Sequence, residues 1–147
     1  MCAEQNTQNE VKLTRSEARE QAFMILFSRS FVEEPWEETV SCAEQLFEGG
    51  VCGYAQAVVP SIEAVQDEID ADISRFLKKG WSLKRISRTS LAILRLAVYE
   101  IKYLDSVPES VSVNEAVELA KKYTIDESGF VNGILGSFIR SREGDAQ

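Results

Sequence analysis

The sequence predicts an all-α protein, a compact bundle of six to seven helices. Three observations carry that reading. Apolar residues recur at helical spacing along most of the chain, which is the mark of amphipathic helices. Two S/T-x-x-E segments, Thr14–Glu17 and Ser112–Glu115, have the form of capping boxes, in which hydroxyl and carboxylate each satisfy an orphan amide at a helix start. No stretch alternates with period two for long enough to build a sheet, and no internal repeat or low-complexity segment interrupts the pattern.

The elements follow in order. Residues 1–12 are polar and aperiodic. The first helix is expected from Thr14 to about Glu33, with Ala18, Ala22, Ile25 and Leu26 on one stripe and Phe23, Phe27 and Phe31 on a second. Pro35 ends it and is suited to begin the next, because a first helical position needs no amide donor. Trp36, Val40, Ala43 and Leu46 give a short second helix stopped at Gly49–Gly50. From Gly53 to Leu77 the helical spacing continues through Pro60, where a kink or break is expected. Gly80 punctuates the chain, and Trp81, Leu83 and Ile86 suggest a short helix. The next segment, Leu91 to Leu104, is apolar nearly all round, so it should be the central, buried helix. Pro108 marks a turn, the box at Ser112 should open another helix, and a last one should run from about Ser128 and fray from Arg140.

A chain of 147 residues ordinarily forms one domain. The expected organisation is a disordered tail over residues 1–13, a single helical domain over 14–142 and a frayed C-terminus over 143–147. The opening MCAEQNTQNE has neither a basic nor an apolar signal region, and no run of 18 apolar residues exists, so no secretory signal or membrane span is expected. Three cysteines without CxxC spacing suggest a reducing, cytoplasmic location.

Composition narrows the chemistry. The chain has no histidine, which removes the commonest general base and metal ligand. No GxGxxG, GxxxxGK[ST] or HExxH motif is present. Neither enzymatic activity nor a metal or cofactor is expected. The acidic pairs Glu33-Glu34 and Glu37-Glu38 flank Pro35 as solvated charge. Gly129, Gly133 and Gly136 lack a preceding strand, so close helix packing explains them better than a phosphate loop.

The net charge is −8, but it is unevenly placed. Residues 1–72 carry four Lys/Arg against fifteen Asp/Glu, a balance of −11. Residues 73–147 carry twelve against nine, a balance of +3. Because salt screens charge beyond about 8–10 Å, a local basic surface can hold an anion on an acidic protein. Lys78, Lys79, Lys84, Arg85 and Arg88 form such a ridge around Gly80-Trp81, fit for a phosphate, an acidic partner or plain solvation. Arg15 and Arg19 lie four apart near a helix start, where phosphate is favoured, yet Glu17 and Glu20 beside them also suit surface ion pairs. Phe27 and Phe130 could stack on RNA bases or simply fill the core.

A resemblance adds to these patterns. The segment WSLKRISRTSLAILRLAVYEIKYLDSVPESVSVNEAVELAKKY, Phe130-Val-Asn-Gly133 and the opening RSEAREQAFMILF resemble the NusB family over about Thr14–Arg142. The resemblance implies a NusB-like fold of two packed helical bundles without catalysis. It implies binding of the single-stranded boxA element of ribosomal RNA transcripts together with the ribosomal protein NusE, so that RNA polymerase reads through terminators. By matching position, Arg15, Arg19, Phe27, Lys78, Trp81 and Phe130 look like RNA contacts. Lys84 and Arg88, from the basic ridge, are expected to face a protein partner. A homodimer is compatible with this. Ser16 and Glu17 stand where basic residues are usual, Leu91 replaces another, and Gly129 stands where a lysine can precede Phe130. The alternatives are a purely protein-binding helical scaffold and a detached accessory domain of an RNA methyltransferase.

Overall fold

In the computed structural model, which describes residues 12–145, the described residues form seven α-helices and one 3-10 turn, with no strand. The helices are α1 (Arg15–Arg29), α2 (Trp36–Leu46), α3 (Gly53–Ala64), α4 (Gln66–Ser74), α5 (Arg88–Tyr103), α6 (Glu109–Tyr123) and α7 (Ser128–Asp145), and the 3-10 turn is Leu83–Arg85. The expected tail lies almost wholly outside the described residues. The chain divides into two compact units, Met1–Pro60 and Ser61–Gln147.

In the first unit, α1 begins at the expected capping box. The Glu17 amide donates to the Thr14 hydroxyl at 3.1 Å, and the Thr14 amide donates to the Glu17 carboxylate at 3.0 Å. The backbone hydrogen bond from Thr14 holds the Glu17 pKa below its ordinary value, helped by the Thr14 hydroxyl. The helix is shorter than its pattern suggests and ends at Arg29, with Ser30 as its C-cap. The Arg29 guanidinium donates to the Thr39 hydroxyl, which donates to Glu34 at 2.8 Å, so the helix end is tied to α2. Pro35 is the N-cap of α2 rather than its first residue. The carboxamide of Gln21, 5% exposed, accepts from the Cys52 amide at 2.6 Å and fixes the Gly49–Gly50 turn region against α1. Gly49 and Gly50 both have positive φ, which an L side chain would resist.

Pro60 sits inside α3 without ending it. The break comes later, at Val65 (φ −118°, ψ 21°), where the Val65 amide bonds back to Ile62 in a tighter turn.

In the second unit, α5 packs against α4, α6 and α7. Ala92, Ile93, Leu94, Leu96, Ala97, Val98 and Ile101 are all buried, and full burial of each large aliphatic side chain contributes about 1.5–3 kcal/mol. Opposing faces supply Ile69 and Ile73 from α4, Leu119 from α6, and Val131, Ile134, Leu135 and Phe138 from α7. Charge fastens the outer side. Arg95 grips Asp70 with two hydrogen bonds of 2.8 Å each, and Lys102 reaches Glu68 at 2.8 Å and Asp72 at 2.7 Å.

Two expectations fail here for the same reason. Ser112 does not open a helix, because α6 starts earlier, after Pro108. Its hydroxyl, fully buried, instead donates across to Glu100 on α5 at 2.9 Å. The final helix does not fray at Arg140 but continues to Asp145. There the Arg142 guanidinium lies over the Phe138 ring, 5.6 Å from its centroid, and the Ser141 hydroxyl donates to the Phe138 carbonyl at 2.7 Å. In both places a tertiary or local partner outweighs the sequence pattern.

Ser112→Ala leaves the buried Glu100 side chain without that donor. It should lower stability by about 1–3 kcal/mol, read as a reduced urea midpoint with an unchanged m-value. Glu68 generates a pH signature. Hydrogen bonds from Lys102 and then Tyr103 lower its pKa. The bond to Glu68 raises that of Tyr103. Burial works against the Lys102 ammonium, but its bonds to Asp72 and Glu68 outweigh this and raise its pKa. Stability from Glu68 is therefore present above its unfolded pKa of about 4.3 and lost as pH falls through its lower folded value. That from Lys102 and Tyr103 is present below about pH 10 and lost as pH rises through their raised folded values. Thermal melts of Glu68→Gln should show a Tm deficit at pH 7 that closes as the pH approaches 3; a deficit independent of pH would contradict this.

Candidate nucleic-acid interface

Each unit carries its own set of candidate residues. On α1, Arg15 occupies the first helical position and is exposed. Arg19, one turn on, is only 5% exposed. The expected pair of surface arginines is thus corrected: Arg19 falls on the stripe that continues through Ala22, Phe23 and Leu26, and the helix buries it with them. Phe27 is half-buried. It stacks edge-on against Phe31 at 5.0 Å between centroids and lies 6.2 Å from Phe23. Phe31, at the outer end of this row, is 56% exposed.

In the second unit, Lys78 and Trp81 are brought together by a tight turn. The Trp81 amide donates to the Lys78 carbonyl at 2.9 Å, and Gly80 takes φ +89°. This conformation suits glycine at the third turn position. Trp81 is 50% exposed, and Lys78, Lys79, Lys84, Arg85 and Arg88 are all exposed. The helix expected around Leu83 is only the 3-10 turn, so Lys84 rides on that turn while Arg88 opens α5. Phe130 is half-buried in the first turn of α7.

A carboxylate fixes the backbone beneath these groups. Oε1 of Glu127 accepts from the Ser87 hydroxyl at 2.9 Å and from the Ser90 hydroxyl at 3.1 Å, while Ser87 also caps α5 by accepting from the Ser90 amide. One side chain thereby joins the start of α5 to the segment leading into α7. Sequence reasoning missed it, because no local pattern pairs residues this far apart. It also left out Arg75, which is exposed and precedes the basic residues Lys78 to Arg88 with no acidic residue between.

An open groove of about 590 Å³ lies between α6 and α7, with Val113 and Val117 on one side and Asn114, Asn132 and Arg140 contributing polar groups. Close packing does not explain the α7 glycines as expected. A Cβ at Gly129 or Gly133 would meet nothing within 4 Å, and only Gly136 approaches a neighbour, the Arg140 side chain at 3.2 Å. Each glycine costs about 0.8–1.0 kcal/mol of helix propensity relative to alanine, with no internal contact at Gly129 or Gly133 to offset it.

A family model described as the NusB family matches residues 16–140. The transcription antitermination protein NusB of Lacticaseibacillus casei is 40% identical over 129 residues, 87% of this chain and 96% of that protein. Its counterpart in Levilactobacillus brevis is 42% identical over 130 residues, covering 84% and 90%. Among solved structures, T. maritima NusB matches with a TM-score of 0.77 and 36% identity, covering 88% of this chain and 93% of that one. A chain from the crystal structure of antitermination factors NusB and NusE in complex with dsRNA matches with a TM-score of 0.71 and 28% identity, covering 86% and 96%. With a family match over most of its length and relatives of this identity, the chain belongs to the NusB family.

Proposed function

We propose that this protein is a transcription antitermination factor that binds boxA-type single-stranded RNA of ribosomal RNA transcripts together with NusE, promoting read-through of terminators by RNA polymerase. It works by holding other macromolecules and performs no catalysis. The observation that carries this reading is the half-exposed Trp81 set in a tight turn on a segment of exposed cations, on a chain whose relatives are named antitermination proteins. An indole face accepts any base by stacking, and the adjacent cations hold phosphates.

The RNA contacts are then Arg15, Lys78, Trp81 and the half-buried rings of Phe27 and Phe130. Arg19, being buried, is not among them. Lys84 and Arg88 face the protein partner. The protein-binding scaffold is the second reading, favoured by the burial of Arg19, which leaves Arg15 as the exposed arginine of α1. The setting is the cytoplasm, and no helix of the described residues is long and apolar enough to cross a membrane.

Gel shifts of this protein mixed with NusE should favour a boxA RNA over a scrambled RNA of equal length. Trp81→Ala should weaken boxA binding by about 1–3 kcal/mol, the worth of one stacked base. Arg15→Gln should weaken both RNAs alike and reduce the salt slope by about 0.7. Equal affinity for the two RNAs defeats the specificity claim, and an unchanged affinity in both variants favours the scaffold.

A further inference from the structure

Several cations elsewhere in the second unit are held in ion pairs. Arg95 is paired with Asp70, Lys102 with Glu68 and Asp72, and Lys121 with Glu118. The segment from Arg75 to Arg88 is different. It carries six exposed cations and no acidic residue. Among the described residues, Arg75, Lys78, Lys79, Lys84 and Arg85 make no ion pair, and Arg75 instead lies 5.4 Å from the centroid of the Phe76 ring.

Like charges grouped along one exposed segment repel one another, and the α5 dipole favours an anion at the end where this segment enters the helix. Nothing lets the segment relax by moving away. Ile86 is buried, Ser87 is bonded to Glu127, and Phe76 packs edge-on against Phe138 at 6.3 Å. The backbone is thus anchored from within while the charged side chains stay outside. A segment whose Arg75, Lys78, Lys79, Lys84 and Arg85 are exposed and make no ion pair among the described residues, with the half-exposed Trp81 within it, suits a flexible polyanion whose charges repeat along its length, and single-stranded RNA supplies both the phosphates and the bases.

We propose that Arg75, Lys79 and Arg85 form a sequence-independent phosphate track that holds the RNA backbone on either side of the base stacked at Trp81. This rests on the RNA-binding reading above and assigns it three further residues. The track contributes affinity and salt dependence without selecting sequence, because phosphates carry no base information.

The test uses the full chain with NusE and three probes: a boxA RNA, an oligo-U of the same length and poly-glutamate. Arg75→Gln, Lys79→Gln and Arg85→Gln are combined, with Lys79→Gln plus Arg85→Gln as a second variant should loss of the Arg75 stacking on Phe76 disturb folding. Lys121→Gln serves as the control for charge removed elsewhere. The triple variant should flatten the plot of log K against log salt by about 2, at 0.7 per contact, equally for both RNAs, so that their affinity ratio is unchanged. The double variant should flatten it by about 1.4 and the control by nothing. An unchanged slope with boxA still preferred overturns the track and leaves the proposed function standing. Equal binding of both RNAs with the slope flattened supports the track and defeats sequence-specific recognition. Loss of poly-glutamate binding with RNA binding intact overturns the proposal in favour of an acidic protein partner.

Discussion

Burial of α5 is the constraint on which the second unit depends. A helix apolar nearly all round must be covered on several sides, and α4, α6 and α7 do this. Once α5 is enclosed, its few polar groups have to find partners within the fold. Ser90 and Glu100 are both fully buried, and each is met by a residue from another element, Glu127 and Ser112. These bonds set the register of α6 and the approach to α7 relative to α5. The exposed turn at Lys78–Trp81 leads into this framework through the 3-10 turn and Ser87, which is bonded to Glu127.

The same enclosure sorts the charges. Arg95 and Lys102 lie on the side of α5 that faces α4, where the acidic residues Glu68, Asp70 and Asp72 neutralise them. Arg75, at the end of α4, and the cations of the connection to α5 up to Arg85 make no ion pair with that acidic row. An overall charge of −8 therefore coexists with an uncompensated basic surface. Charge of this local kind steers a polyanion at short range, whereas the net charge acts on solubility and non-specific association.

Much of the fold was legible in the sequence. Helical spacing located α1, α2, α5, α6, α7 and the apolar stretch that α3 and α4 share, the box at Thr14 marked the start of α1, and the apolar run from Leu91 identified the central helix. The errors were local signals overruled by context. Pro60 was a sound place to expect a break, yet the chain breaks at Val65. The pattern at Ser112 fits a capping box, but a hydroxyl beside a buried Glu100 bonds there instead. Of the candidate site, the basic residues and Trp81 were visible because charge and aromaticity are properties of residues. The burial of Arg19 was not, since charge conventionally argues for exposure.

The sequence by itself determined where helices form and which faces are apolar, because periodicity and capping are written within a few neighbouring residues. Only the tertiary structure decided which polar groups are spent inside the fold and which are left for a partner. Arg95 meets Asp70 across 25 positions, and Ser87 meets Glu127 across 40. Pairings at such separations depend on how helices pack, and helix packing is settled by the whole core rather than by any local segment.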